Sequence, residues 1–168
     1  ATLPLDSSTN ERITANPLML SMVASVYQLR QGVGMPETVM ELYEVASDTM
    51  LERGAADSDE HRRLLQAIFF EAHTLETREF TGDLLAKVAR KAGVSDAVLT
   101  EARDCALQDK LPLLSLLEAE PLQLQSSHLS FQEYFVVRTL CEAGMLLSAT
   151  PPFWKWSSWW ANVVRLGE

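Results

Sequence analysis

The chain has 168 residues, 47% of them hydrophobic, which is enough for one sizeable core or two small ones and excludes a disordered chain. Its 14 basic residues are outnumbered by 23 acidic ones, and the formal net charge is −9. This balance disfavours direct nucleic-acid binding, because an acidic surface repels phosphates and no dense basic cluster offsets the repulsion.

Helical periodicity dominates the first third of the chain. A first helix opens at Pro17, with Asn16 as its N-cap. A second helix opens at Pro36, and Gly54 closes it. Together these helices predict a helical domain at 1–55.

Three more helical patterns follow and begin a second domain, predicted at 56–147. The first covers about 58–75, the next ends at Gly93, and the third has Ser95 as its N-cap.

The segment after these helices contains the clearest strand signal. Leucine-rich residues 111–120 predict a short helix that Pro121 terminates. Residues 122–125 then alternate Leu and Gln, which is the period-2 pattern of a half-buried strand.

A strong amphipathic helix follows this strand. Ser130 and Glu133 fit an S-x-x-E capping box, and Leu129 and Tyr134 are spaced for a hydrophobic staple. The element order predicts an all-α, mainly helical fold: a helical bundle followed by a winged-helix-like module with a minimal β wing.

The last segment, 148–168, is expected to start a further helical segment. It contains tryptophans at 154, 156, 159 and 160. They could anchor the chain at a membrane interface, or they could pack against the winged-helix-like module or a downstream domain. The low basic charge of the segment favours packing.

The two cysteines, Cys105 and Cys141, lack the number and spacing of a disulfide framework or a CxxC zinc site. Both fall in apolar helical patterns, which predicts buried side chains and favours a reducing compartment. The N-terminal residues do not form a signal peptide, and no apolar run is long enough to span a bilayer. We therefore expect a cytoplasmic location, no membrane binding, and an excised piece of a larger protein.

A search for chemistry finds no self-contained active site. The chain has no phosphate-binding loop, no G-x-G-x-x-G, no G-x-S-x-G and no H-E-x-x-H. His61 and His73 are too far apart on one helix to share a metal, and 57–60 lacks the spacing of a calcium loop. We predict no catalytic residues, no metal site and no enzyme activity for this chain by itself.

One motif nevertheless points to a family. Residues 128–135, HLSFQEYF, resemble the signature near the end of the winged-helix domain of NACHT-type STAND NTPases, which include the NOD-like receptors. Val136 and Val137 stand where that family usually has two alanines, so the helix packing there is expected to differ.

A second motif upstream strengthens the resemblance. Residues 16–20, NPLML, and the later Pro36, Leu42 and Tyr43 resemble the helical domain that directly follows the nucleotide-binding core in the same family. The order and separation of the two motifs make their combination more specific than either alone. The resemblance covers residues 10–145.

The resemblance implies a role in nucleotide-dependent signalling, of the kind found in innate immunity. In that family the winged-helix histidine contacts the β-phosphate of bound ADP and the proline contacts the adenine side, which implies nucleotide-binding roles for His128 and Pro17. ADP or ATP with Mg would be bound by the parent protein, whose N-terminal NTPase core and downstream repeat or sensor domain would be this chain's partners. The chain would act as a regulatory lid that couples nucleotide state to domain rearrangement.

Alternative explanations remain for the chain and for its site residues. The chain could be a protein-interaction scaffold without nucleotide coupling, a winged-helix nucleic-acid binder, which the charge disfavours, or an enzyme, which the motif search disfavours. His128 could instead pack at a helix start, and Pro17 could simply begin a helix. Gln132 and Glu133 are expected to be structural.

Overall fold

A computed structural model of the protein describes residues 17–29, 36–53, 58–142 and 155–167. The described chain is mainly helical and contains a three-stranded antiparallel sheet, which confirms the predicted fold class of a helical bundle followed by a winged-helix-like module with a minimal β wing. The predicted features at Asn16, Gly54 and Trp154 lie outside the described residues.

The chain divides into two compact units, Ala1–Met50 and Leu51–Glu168. The sequence suggested a boundary after residue 55 and a separate segment from 148. In the structure the described part of that segment, 155–167, belongs to the second unit.

The first unit contains α1 (Pro17–Leu29) and most of α2 (Val39–Arg53). Helix α1 begins at Pro17 as predicted, whereas α2 begins after Pro36 at a cap that the sequence analysis missed. The hydroxyl of Thr38 accepts a hydrogen bond from the backbone N–H of Glu41 at 3.1 Å, and the Glu41 carboxylate accepts one from the N–H of Glu37 at 2.7 Å. This reciprocal pair satisfies N–H groups that a helix start leaves free.

The second unit has the element order of a winged-helix-like module. Its three strands form an antiparallel sheet in the order β1-β3-β2, so β3 is central. The elements are α3 (Asp59–Thr74), β1 (Glu79–Thr81), α4 (Gly82–Lys91), α5 (Asp96–Leu107), β2 (Leu114–Ala119), β3 (Leu122–Ser126), α6 (Leu129–Glu142) and α7 (Ala161–Leu166), the last preceded by a 3₁₀ turn (Ser158–Trp160).

Local capping explains where α3, α4 and α5 begin. The hydroxyls of Ser58, Thr81 and Ser95 each accept a hydrogen bond from the backbone N–H three residues later. The cap at Ser95 was predicted. Gly93 has a φ of +66° just beyond the end of α4, as expected for the glycine that closes a helix.

Aromatic side chains from distant elements form the core of the second unit. The ring of Phe69 on α3 stacks on Phe135 of α6 at 5.2 Å between centroids and meets the edge of Phe80 of β1 at 6.0 Å. All three side chains are buried. Their contacts connect α3, α6 and the sheet.

Three sequence predictions about local structure are wrong. Residues 114–119 form strand β2 rather than a helix, because they pair with β3. The capping box at Ser130 and Glu133 does not form: α6 begins at Leu129, and the Glu133 carboxylate accepts a hydrogen bond from Asn162 instead. Cys105 is buried as predicted, but Cys141 is exposed near the end of α6.

Candidate functional site

His128 lies in the short connection between β3 and α6, and its backbone is held on both sides. Its carbonyl oxygen accepts hydrogen bonds from the Ser126 hydroxyl at 2.7 Å and from the N–H of Phe131 at 3.1 Å. Ser126 is in turn tied to the loop before β1: its carbonyl accepts from the Arg78 guanidinium at 2.8 Å, and its N–H donates to the Arg78 carbonyl at 2.9 Å. The residue therefore has a defined position at the start of α6.

His128 is the exposed residue of its motif. Within 128–135, all of which the structure describes, His128 is exposed, the next two residues are half-buried, and 131–135 are buried. No hydrogen bond or ion pair of the imidazole is found among the described residues. The packed histidine that was the simplest alternative is therefore not what the structure contains.

Pro17 is the first residue of α1 and is exposed. It belongs to the first unit, whereas His128 belongs to the second. Each of the two predicted nucleotide contacts therefore lies at the beginning of a helix, in its own unit.

Gln132 and Glu133, the polar pair in the middle of the motif, hold α6 to its neighbours. The side-chain amide of Gln132 donates to the carbonyl of Thr77 at 2.9 Å and lies 3.5 Å from Nδ1 of His73. Glu133 accepts from the amide of Asn162 at 2.5 Å. Burial raises the pKa of the Glu133 carboxyl, although the Asn162 hydrogen bond and the charge of Arg165 act in the opposite direction.

Lys155–Gly167, which we call the tryptophan segment, packs on the winged-helix-like module. Trp160 is 1% exposed and contacts the ring of His73 edge-on at 4.5 Å, while Trp159 contacts the same ring at 5.3 Å. Ser157 donates a hydrogen bond to the carboxylate of Glu76 at 2.6 Å. The packing alternative predicted for the tryptophans is therefore confirmed for those that the structure describes.

The surface that a winged helix would present to DNA is acidic. Helix α5 follows α4 in the position of a recognition helix, and the turn between β2 and β3 is the wing. Across 96–120 there are six acidic side chains and two basic ones, and all eight are exposed. Such a face repels a phosphate backbone.

A mainly apolar groove of about 390 Å³ lies on another side of the same unit, between α3, α4 and α6. Phe70, Val88 and Ala92 contribute to its lining. Glu71 lies at its rim and accepts hydrogen bonds from Lys91 at 3.2 Å and Lys87 at 3.3 Å. Burial raises the pKa of the Glu71 carboxyl, but the two lysines outweigh it and the net shift is downward.

The described residues contain neither a metal site nor a membrane span. Among them, no three His, Cys, Asp or Glu side chains converge in a way that would hold a metal ion. Their helices include none that is long and apolar enough to cross a membrane.

The chain was compared with protein families, with curated proteins and with solved structures. No family model, curated protein or solved structure matches this chain.

The sequence motif pointed to His128, but no sequence pattern indicated the environment of His73. Gln132 is 59 positions away from His73, and the tryptophans are farther still along the chain. A histidine in the last turn of a helix gives no local signal of such contacts. The sequence signal that could have pointed to a buried partner was the concentration of indoles near the end of the chain.

Proposed function

We propose that this chain is the regulatory region of a NACHT-type signalling NTPase, in which it follows the nucleotide-binding core and responds to the bound nucleotide. His128 contacts the β-phosphate of ADP, and Pro17 contacts the adenine side. The contact favours the closed, ADP-bound state, and its loss is transmitted through the winged-helix-like module as a domain rearrangement. The chain performs no catalysis.

The observation that carries this proposal is the exposure of His128 in a motif whose other residues are half-buried or buried. The buried members, Phe131–Phe135, are accounted for by packing and by the hydrogen bonds of Gln132 and Glu133. Packing does not account for the exposed imidazole of His128 at the beginning of the motif. A ligand outside the unit does account for it.

The chemistry at this position suits a phosphate. The first N–H groups of a helix have no partner within the helix, and the helix dipole makes that end favourable for an anion. An imidazole N–H beside them adds a further donor, and a charge-assisted hydrogen bond to phosphate is stronger than a neutral one. His128 immediately precedes α6, which has 14 residues.

The acidic face of 96–120 supports a protein-coupling role over nucleic-acid binding. A winged helix that binds DNA needs cations where this one has Asp96, Glu101 and Asp104. Addition of duplex DNA at physiological salt is therefore expected to leave the protein unbound.

The second candidate function is a protein-interaction scaffold without nucleotide coupling, and the apolar groove between α3, α4 and α6 favours it. The two candidates differ in the sequence that precedes Ala1. A phosphate-binding loop G-x-x-x-x-G-K-[ST] in that region supports the nucleotide switch, and its absence excludes it.

The signalling output of the parent protein tests the role of His128 directly. His128→Asn removes the imidazole while keeping a residue that is favoured before a helix start, so α6 should remain intact. We expect higher basal signalling from His128→Asn, because the closed state loses a contact. Arg103→Gln, an exposed change on α5, is the matched control and should leave signalling unchanged.

A third variant separates phosphate binding from a structural effect. His128→Arg keeps a donor that can reach a phosphate, so its basal signalling should stay closer to the wild type than that of His128→Asn. Equal signalling by wild type, His128→Asn and His128→Arg would contradict the proposal.

A further inference from the structure

His73 occupies an environment that suits a neutral imidazole and not a charged one. It lies in the last turn of α3 and is 0% exposed. The indoles of Trp159 and Trp160 lie against its ring, with centroids at 5.3 and 4.5 Å. Its Nε2 atom is buried and has no hydrogen-bond partner among the described residues.

The hydrogen bond from Gln132 assigns the proton of the neutral ring. The Gln132 amide is committed as a donor to the carbonyl of Thr77, and its nitrogen lies 3.5 Å from Nδ1 of His73, which makes Nδ1 the acceptor. The proton of the neutral imidazole is then on Nε2. A second proton on Nδ1 would face the donating amide nitrogen of Gln132.

The charged groups around His73 are already engaged elsewhere. From the end of α3, Glu76 accepts from Ser157, and in the loop before β1 Arg78 donates to Ser126. From α6, Glu133 accepts from Asn162 of α7, where Arg165 also lies. None of these groups forms an ion pair with His73 in the described chain, so an imidazolium there would lack a counter-charge.

We propose that protonation of His73 releases the tryptophan segment from the winged-helix-like module. The imidazolium can be hydrated only if the indoles that cover it move away. Release would uncover the face of α6 on which α7 packs, including Val137, which neighbours Gly167. The module would thereby respond to acidification through a residue that has no part in nucleotide contact.

The direction of the pH effect follows from the change in the pKa of His73 on docking. Burial lowers the pKa of His73 from 6.5 to about 4 in the docked state, even though indole faces attract cations. The released state binds the proton more tightly. Docking is therefore fully stable above pH 6.5 and loses stability as the pH falls toward about 4.

Glu133 acts in the opposite direction. Burial raises its pKa in the docked state above the ordinary 4.5, so docking gains stability as Glu133 takes up a proton. Glu133→Gln removes this opposing titration and keeps an acceptor for Asn162. The neutral side chain avoids the cost of burying the carboxylate charge, so release in this variant should occur at a lower pH than in the wild type.

Tryptophan emission reports mainly on this segment, because three of the four tryptophans of the chain, at 156, 159 and 160, lie within it and the fourth, at 154, directly precedes it. The experiment is a titration of the full chain from about pH 8 to about pH 4, followed by tryptophan emission and far-ultraviolet circular dichroism. We expect a red shift of the emission between pH 6.5 and about 4, with the helical signal largely kept.

Two histidine variants decide whether His73 is responsible. His73→Gln cannot take up a proton and should lose the transition. The matched control is His61→Gln, because His61 is also buried on α3 and contacts no indole in the part of the chain that the structure describes; it should keep the transition. A transition that persists in His73→Gln, or one that coincides with loss of the helical signal, would overturn the proposal.

A measurement on the unmodified chain covers the case in which His73→Gln does not fold. Nuclear magnetic resonance of ¹⁵N-labelled histidines should show His73 titrating together with the change in tryptophan emission. Titration of His73 near its ordinary pKa while the emission stays constant would refute the proposal. So would a wild-type emission that is constant down to about pH 4.

Discussion

Gly93 shows how much a single residue can depend on backbone conformation alone. Its φ is +66°, and its N–H donates to the carbonyl of Arg90 at 3.3 Å beyond the end of α4. A Cβ added there would meet no atom within 4 Å. Any loss of stability on substitution therefore comes from the left-handed conformation and not from a clash.

Gly93→Ala is expected to lower the free energy of unfolding by about 1 kcal/mol, the usual difference for a non-glycine residue in this conformation. Urea denaturation should show a lower midpoint with an unchanged slope. Gly82→Ala is the matched control, because the glycine there begins α4 without a positive φ and the new Cβ would make an ordinary contact of 3.4 Å with Leu122. An equal loss for both variants would contradict the explanation.

Local signals predicted elements well where a helix carried its own cap, and failed where a strand depended on a distant partner. Ser95 was predictable because its hydroxyl binds an N–H only three residues away. Strand β2 was not, because five leucines in 111–117 favour a helix by propensity and its conformation is decided by pairing with β3. Strand β1 has three residues, too few to show a period.

At the scale of elements, the contact between the starts of α3 and α5 gives a pH-dependent prediction. One carboxylate oxygen of Glu60 accepts hydrogen bonds from both the N–H and the hydroxyl of Ser95, at 3.0 and 2.7 Å. These hydrogen bonds lower the pKa of the Glu60 carboxyl. The stabilisation is therefore present above pH 4.5 and is lost as the pH falls through the lowered value.

Glu60→Gln keeps an acceptor but removes the charge, so it should be less stable than the wild type at neutral pH. The difference should disappear in acid, where Glu60 is protonated as well. Urea denaturation at about pH 7 and about pH 3 measures the difference in the free energy of unfolding between the two proteins at each pH. A difference that is the same at the two pH values would show that the charge of Glu60 makes no contribution.

At the scale of the molecule, the second unit contains its own core, including Leu64, Phe69 and Phe135. We expect residues 51–168 to fold without the first unit, with a cooperative thermal transition and the blue-shifted emission of a buried Trp160. A non-cooperative transition with exposed tryptophans would mean that the division into units does not correspond to independent folding.

The candidate site was only partly accessible from sequence, and the reason is physical. The HLSFQEYF motif identified His128, but the burial that distinguishes it from its neighbours depends on α3, the sheet and α7. The environment of His73 depends on side chains from three separate segments. Sequence reasoning could find both histidines, but only the assembled unit distinguishes an exposed imidazole from one enclosed by indoles.

The most direct test of the proposed switch is the amount of ADP that the purified parent protein retains, compared between the wild type and His128→Asn at equal protein concentration. A contact with the β-phosphate that favours the closed state predicts less retained ADP and faster ADP dissociation for His128→Asn, with an unchanged melting temperature of the second unit. Equal ADP content and equal dissociation rates in the two proteins would contradict the proposal.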